Sequence, residues 1–413
     1  MKKSVERLKS ALIVLLVLLA AFMAPQIQPL KSLFSGMNIN GIHERLSKKN
    51  TGTDAVFVTE IDMSAPMRMA YTSAAGRLGL QYSSDVYRYY EAVSTTVSEA
   101  LGSATGFEIV EEAQWREALG EPGLYLDYGG SVPAQVLAAW LGVEVPAEMS
   151  GASVSRILLS EDGVAARMYI MTDKNEFYRC GTAVRFSSVS GTFGALDTNG
   201  AEFAFEDAAY SRLAPYTMVL GAEYAVAEVQ PSVTTAQDTL FKVLAFNQDT
   251  ATPYLESDGT VVYVENDCTV RVSQDGGFSY KIFAQGEGVR IYGGGIDTPA
   301  AATAAVAIGE STGLISDGVR PYINYTRQDD YEVTVVFGCT VNGIPVYYDG
   351  RDGFMTITVT DGVITYFDIT MLTLTPTEGT DYLMPENLAQ AAAYRNSELV
   401  LAYLDDGRAV WMI

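Results

Sequence analysis

At 413 residues, with 48% hydrophobic and 11% aromatic content, the chain is too large for one small core and too apolar to be disordered. Its formal net charge is −23; residues 1–30 hold four Lys/Arg and one Glu, leaving 23 basic against 49 acidic residues, or −26, for the rest. That balance repels nucleic acid and anionic lipid, and excludes both as partners of the part beyond residue 30.

The chain opens with Lys2, Lys3, Arg7 and Lys9, followed by the apolar run 11–24. A helix over 10–27 reaches about 27 Å, close to the hydrocarbon thickness of a bilayer. A cleaved signal peptide shares the basic start and apolar middle. Phe22 and Met23 crowd the cleavage position and Pro25 follows Ala24, which favours an uncut anchor. The excess of cations before the run predicts a cytoplasmic amino end, with the bulk of the chain outside the cytoplasm. Residues 28–53 read as a juxtamembrane stalk with a basic patch at Arg45, Lys48 and Lys49.

Beyond the stalk the pattern predicts an α+β fold: antiparallel sheets packed with helices, in two to three domains. A first α+β domain spans 54–145. It begins with a strand at 55–61 and holds a strong helix in which Val86, Tyr89, Tyr90, Val93, Val97 and Leu101 recur at helical spacing before Gly102. A strand at 107–110, a short helix at 111–119, a strand at 124–128 and a Pro133-started helix to Gly142 complete it. A central β-meander over 146–230 contains the hairpin 153–159/165–171 around Glu161-Asp162-Gly163, then a strand at 176–186. Residues 206–220 read as a helix interrupted by Pro215. The last domain, 231–413, starts with a helix at 235–246 and continues in strands at 261–265, 269–272 and 278–283. An Ala-rich helix follows at 299–308, then strands at 331–341, 355–359 and 363–369, a helix at 385–394, and a closing hairpin 399–404/409–413 ending in a buried strand. The segments 258–283 and 331–369 share one rhythm of helix then hairpins, the mark of a weak internal duplication.

Catalytic patterns fail on residue inventory. His43, in the stalk, is the only histidine, which removes Ser–His–Asp, Cys–His and multi-His metal sites together. Gly309-Glu310-Ser311-Thr312-Gly313 matches the nucleophile-elbow spacing but follows an Ala-rich helix and has no histidine after it. Asp329-Asp330 and Asp405-Asp406 sit in turns, Asp349 and Asp352 lack a calcium ladder, and Gly293-Gly294-Gly295 lacks a phosphate-cradle context. Cys180, Cys268 and Cys339 are widely spaced within strand-like runs and read as buried free thiols, with one disulfide plus one thiol as the alternative. The residues assign no catalytic group, no cofactor site and no metal site; a carboxylate-pair hydrolase stays open on the acidic composition.

Several stretches resemble the YycH/YycI (WalH/WalI) proteins of low-GC Gram-positive bacteria. They are the basic start with a single anchor; Trp115 with Leu119, then Leu124-Tyr125-Leu126-Asp127-Tyr128-Gly129 and Val132-Pro133; and Val341-Asn342-Gly343-Ile344-Pro345-Val346 with the closing Leu401-Ala402-Tyr403 and Val410-Trp411. The resemblance implies a non-catalytic, membrane-anchored regulator that contacts a sensor histidine kinase, with a second family member as a candidate heterodimer partner. A wall- or peptide-binding module is the rival reading. Within the anchor, Ala20 and Ala24 form one small-xxx-small pair and are the candidate partner-contacting face.

Overall fold

The computed structural model describes residues 63–283, 288–316 and 318–413. The expected anchor at 10–27, including Ala20 and Ala24, the stalk at 28–53 and the strand at 55–61 lie outside the described residues. Among the described residues no helix is long and apolar enough to cross a membrane. They form a mixed α+β structure dominated by antiparallel sheet.

Seven strands build the first sheet: β1 (Arg68–Ser73), β2 (Gly76–Leu80), β3 (Thr105–Val110), β4 (Gly123–Pro133), β5 (Ser153–Asp162), β6 (Ala165–Thr172) and β7 (Phe177–Arg185). Their spatial order is β2-β1-β4-β5-β6-β7-β3, antiparallel throughout. The helices within this stretch are α1 (Asp85–Gly102), α2 (Glu112–Gly120), α3 (Ala134–Trp140) and α4 (Ser187–Phe193). The periodicity of α1 is realised as expected: Val86, Tyr90, Val93, Val97 and Leu101 are buried.

The structure gives the surroundings of the expected boundary at 145/146. It falls between β4 and β5, which pair from Gly123↔Ser160 to Pro133↔Ser153, so both sides of it belong to one sheet. The reason is burial on both faces. Leu124, Leu126, Ile157, Leu159, Met168 and Ile170 pack in the core shared with α1 and α3; the alternate residues Tyr125, Leu158 and Tyr169 pack in a second core around Trp115. An isolated β5–β7 meander would leave both rows half exposed.

Residues 206–220 are not a helix. A short 3₁₀ turn, Ala208–Tyr210, opens with Ala209 N donating to Asp207 Oδ1 at 2.8 Å. The chain then runs irregularly into β9 (Met218–Val219), which pairs with β8 (Glu202–Phe203). Pro215 has no N–H to give a helix, and its carbonyl accepts from Phe205 N at 3.0 Å instead. In this course the segment lays Phe203, Tyr216 and Met218 over the second face of the first sheet.

After β10 (Ala225–Val233) come α5 (Gln237–Val243), β11 (Thr252–Leu255), β12 (Val261–Glu265), β13 (Cys268–Val272), β14 (Gly277–Ile282) and α6 (Thr298–Ser311). Asp297 caps α6, its Oδ1 accepting from Ala300 N at 2.9 Å, with Pro299 in the first turn. The remaining elements are β15 (Val319–Gln328), β16 (Glu332–Val341), β17 (Ile344–Tyr347), β18 (Met355–Thr360), β19 (Val363–Thr370), β20 (Leu372–Tyr382), α7 (Glu386–Ala391), β21 (Val400–Leu404) and β22 (Ala409–Met412). The second sheet has the order β11-β12-β13-β14-β19-β18-β16-β17-β21-β22, with β15 also on β16. Two helix-plus-meander units therefore meet last strand to last strand, through β14 and β19. β10 and β20 form a separate two-stranded ribbon. The closing strand β22 is half-buried rather than buried.

One apolar core runs from the first sheet's helices into the second sheet. α3 meets α6, where Trp140 Nε1 donates to Thr303 Oγ1 at 3.4 Å. Gly130 in β4 lies so close to β15 that a Cβ there would stand 2.2 Å from the Ile323 carbonyl oxygen. The Asn342-Gly343 turn abuts Ser83 at the start of α1 in the same way: Gly343, at φ +83°, has no room for a side chain.

Candidate functional site

The densest charged chemistry lies on the seam between the two sheets. β1, β4 and β5 are neighbours, and place Arg68, Tyr125, Asp127 and Arg156 side by side. Arg68 and Asp127 are only 3% and 2% exposed. Asp127 Oδ2 lies 3.5 Å from both Arg68 Nη1 and Arg156 Nε. Its Oδ1 accepts from Gly129 N at 2.9 Å, and Tyr125 Oη accepts from Arg156 Nε at 2.9 Å. Glu398, just before β21, closes the group from the other side of the seam, 2.7 Å from Arg156 Nη2 and 3.8 Å from Arg68 Nη1. Burial pushes the Asp127 carboxyl up, but Arg156, Arg68 and the Gly129 N–H together outweigh it and hold the group below the usual carboxylate range. Two arginines and two acids balance in charge, so the cluster is a closed electrostatic joint. Its carboxylates are held in ion pairs rather than presented to a substrate.

A second group continues the seam. Glu386, buried in the first turn of α7, accepts from Leu220 N at 2.9 Å and Gly221 N at 2.8 Å. Burial raises its pKa despite those two donors. Gln81 Nε2 donates to Tyr224 Oη at 2.9 Å, and Tyr224 packs edge-on against Trp411 at 5.3 Å and Tyr82 at 5.6 Å between ring centroids. Trp411 Nε1 in turn donates to the Met384 carbonyl at 2.8 Å. Elements from both ends of the described chain are thus tied by side-chain polar contacts.

The residues singled out by motif are scattered. Ser311 ends α6 and spends its hydroxyl on the Ile308 carbonyl at 2.6 Å, so the elbow-like spacing is a helix terminus. Asp329 Oδ1 accepts from Glu332 N at 2.9 Å and Asp406 Oδ1 from Arg408 N at 3.0 Å, which makes both acidic pairs turn-forming. Gly295 N donates to Asp361 Oδ1 at 2.8 Å, which pins the glycine run to the β18–β19 turn. Cys180 and Cys339 are buried, Cys268 is half-buried, and all three are free. Burial pushes the Cys180 and Cys339 thiols up to about 12, which keeps them protonated and unreactive. Among the described residues no group of three or more His, Cys, Asp or Glu is placed to hold a metal ion. Asp368 on β19 is likewise pushed up, to about 6, by burial, which Arg351 at 3.8 Å offsets only in part.

With this geometry in hand, comparison with solved structures is informative. The crystal structure of YycH from Bacillus subtilis superposes with a TM-score of 0.58, covering 87% of this chain and 96% of that one, at 11% identity. The chain has the YycH fold. No family model matches the sequence, and no curated protein matches it. The likeness to YycH therefore lies in the fold and not in sequence similarity that a family model detects.

The seam residues escaped the sequence reading because nothing local marks them. Arg68, Asp127, Arg156 and Glu398 are single charged residues within runs of other character, and Arg156 and Glu398 are 242 positions apart. The one available signal was a charged residue inside the buried run Leu124–Tyr128, which is unusual unless it is paired.

Proposed function

We propose that this protein is a non-catalytic regulator, held at the outer face of the cell membrane by one amino-terminal helix, that acts on a sensor histidine kinase through protein–protein contacts. The observation that carries this reading is the YycH fold extending over nearly the whole of both chains. The sequence adds two supports: the cation-flanked apolar run at 11–24, and the resemblance of Leu124–Tyr128, Val341–Val346 and the closing hairpin to YycH/YycI proteins. The seam contributes a mechanical rationale. A balanced, buried ion cluster and one continuous core make the two sheets a stiff unit, suited to presenting a fixed surface to a partner. Ala20 and Ala24 are the proposed helix-contact positions within the anchor. A second family member is a proposed heterodimer partner.

In-cell crosslinking of the full-length chain, followed by mass spectrometry, tests this directly. The control carries an unrelated apolar helix in place of residues 10–27. Recovery of a histidine kinase with the native anchor, lost on the swap, is the expected result. Recovery of wall polymer or wall enzymes alone, equally with both anchors, would replace the reading with a wall-binding module.

A further inference from the structure

Residues 63–67 act as a buckle, we propose: they fasten the chain arriving from the amino-terminal anchor directly to the joint between the two sheets. A displacement of that arriving segment is then passed to the seam rather than taken up by a slack linker. This deepens the regulator reading and rests on it. Entry segments are ordinarily exposed and loosely held unless something ties them down. Here Met63, Ser64 and Met67 are 7%, 0% and 8% exposed, and Met63 packs in the core that runs through both sheets. Every residue from the apolar run at 11–24 to Asp62 joins the fold through Met63.

Three attachments hold the buckle. Ser64 Oγ lies 2.9 Å from Tyr90 Oη, a buried contact that ties the segment to α1. Met67 N donates to the Asp127 carbonyl at 2.8 Å, which ties it to β4. Gly129, at φ +66°, leaves the space that Met67 fills, because a Cβ there would stand 2.2 Å from the Met67 sulfur. Pro66 has no N–H to leave unpaired beneath them. The second attachment ends on the seam itself. Asp127, whose carbonyl takes the Met67 N–H, also has its carboxylate 3.5 Å from both Arg68 and Arg156, and Arg68 follows Met67 in the chain. Close-packed interiors have little free volume and transmit a shift from one wall to the next. A pull on Met63 therefore acts on α1 through Tyr90 and on the Asp127 cluster through Met67.

The test has two arms, both on the full-length chain. In detergent micelles, hydrogen exchange read by mass spectrometry should show the 63–67 amides exchanging within tenfold of the β4 amides. Ser64→Ala should speed them at least tenfold. Ser98→Ala, which removes a hydroxyl donated to the Leu141 carbonyl at 2.9 Å elsewhere on α1, should leave them unchanged. Exchange at the rate of an unstructured chain, or exchange that Ser64→Ala does not move, overturns the buckle. In cells, eight Gly/Ser residues inserted between Asp62 and Met63 leave the attachments in place and slacken what pulls on them. Phosphorylation by the crosslinked kinase should then match that of cells lacking the protein, while the same insertion in the exposed turn at Lys174-Asn175 should leave it at the native level. Native output with the insertion after Asp62 overturns the transmission of displacement. If no kinase is recovered even with the native chain, the regulator reading fails, whereas slow, Ser64-dependent exchange still establishes the fastening.

Discussion

The two sheets are built from the same kind of antiparallel strand yet face their surroundings differently. The first is covered on both faces: α1 and α3 on one, α2 with the 196–222 segment on the other, where Trp115, Tyr125, Tyr169 and Phe203 make a second core. The second is covered on one face by α5 and α6 and is barer on the other, where the half-buried Thr334 lies with its hydroxyl 2.9 Å from that of Thr358 and Thr360 bonds Thr365 at 3.0 Å. Val333 and Val335 are buried while Glu332 and Thr334 are half-buried, so β16 alternates at its start, before it is buried throughout from Val335 to Val341, whereas β4 is buried without a break from Gly123 to Tyr128. A sheet with one wet face keeps the alternating sequence signature; a sheet with two dry faces loses it.

That contrast can be broken most forcefully at the seam. Asp127→Ala leaves Arg68 and Arg156 buried with only Glu398 between them, and should lower unfolding stability by about 3–5 kcal/mol in urea titration. Trp115→Ala, on the second face of the first sheet, should cost a similar ~3–5 kcal/mol, because that fully buried ring packs against Phe177 at 5.7 Å and Tyr216 at 6.1 Å. A loss under about 1 kcal/mol there would show that the 196–222 segment is not a true second layer.

Asp368 sharpens the comparison on the second sheet. Its folded pKa is raised, so its contribution to stability is full below the unfolded value of roughly 4 and is lost as the pH rises through about 6. Asp368→Asn should therefore raise stability at neutral pH by on the order of 2 kcal/mol and change nothing near pH 4, measured by thermal unfolding across that range. The smallest effect is expected on the barer face itself. Thr334→Ala should cost about 1 kcal/mol or less, a loss of one cross-strand hydroxyl pair that water replaces.

Much of the fold was legible where periodicity and turn chemistry agree. α1, α6, the β5–β6 hairpin and the β18–β19 hairpin all follow from spacing plus caps or Asp-Gly turns. β1 and β2 did not, because Arg68 and Arg77 interrupt two short runs; each is buried beside a carboxylate far along the chain, Asp127 and Glu206. The 206–220 segment misled because its apolar residues serve an irregular cover rather than a helix face. The ribbon of β10 and β20 sends only Val226, Val229 and Leu374 into the core, too sparse a stripe to mark either strand. The seam depends on pairings between distant segments that no local pattern encodes.

Glu398 has a consequence in time as well as in space. Ribosomes make Arg156 242 residues before Glu398, and Arg68 and Asp127 earlier still, so the first sheet is complete as a polymer long before its last charge arrives. Until then two guanidiniums share one carboxylate, and the cluster carries one uncompensated positive charge. Only a chain translated through Glu398 brings the second carboxylate to Arg68 and Arg156.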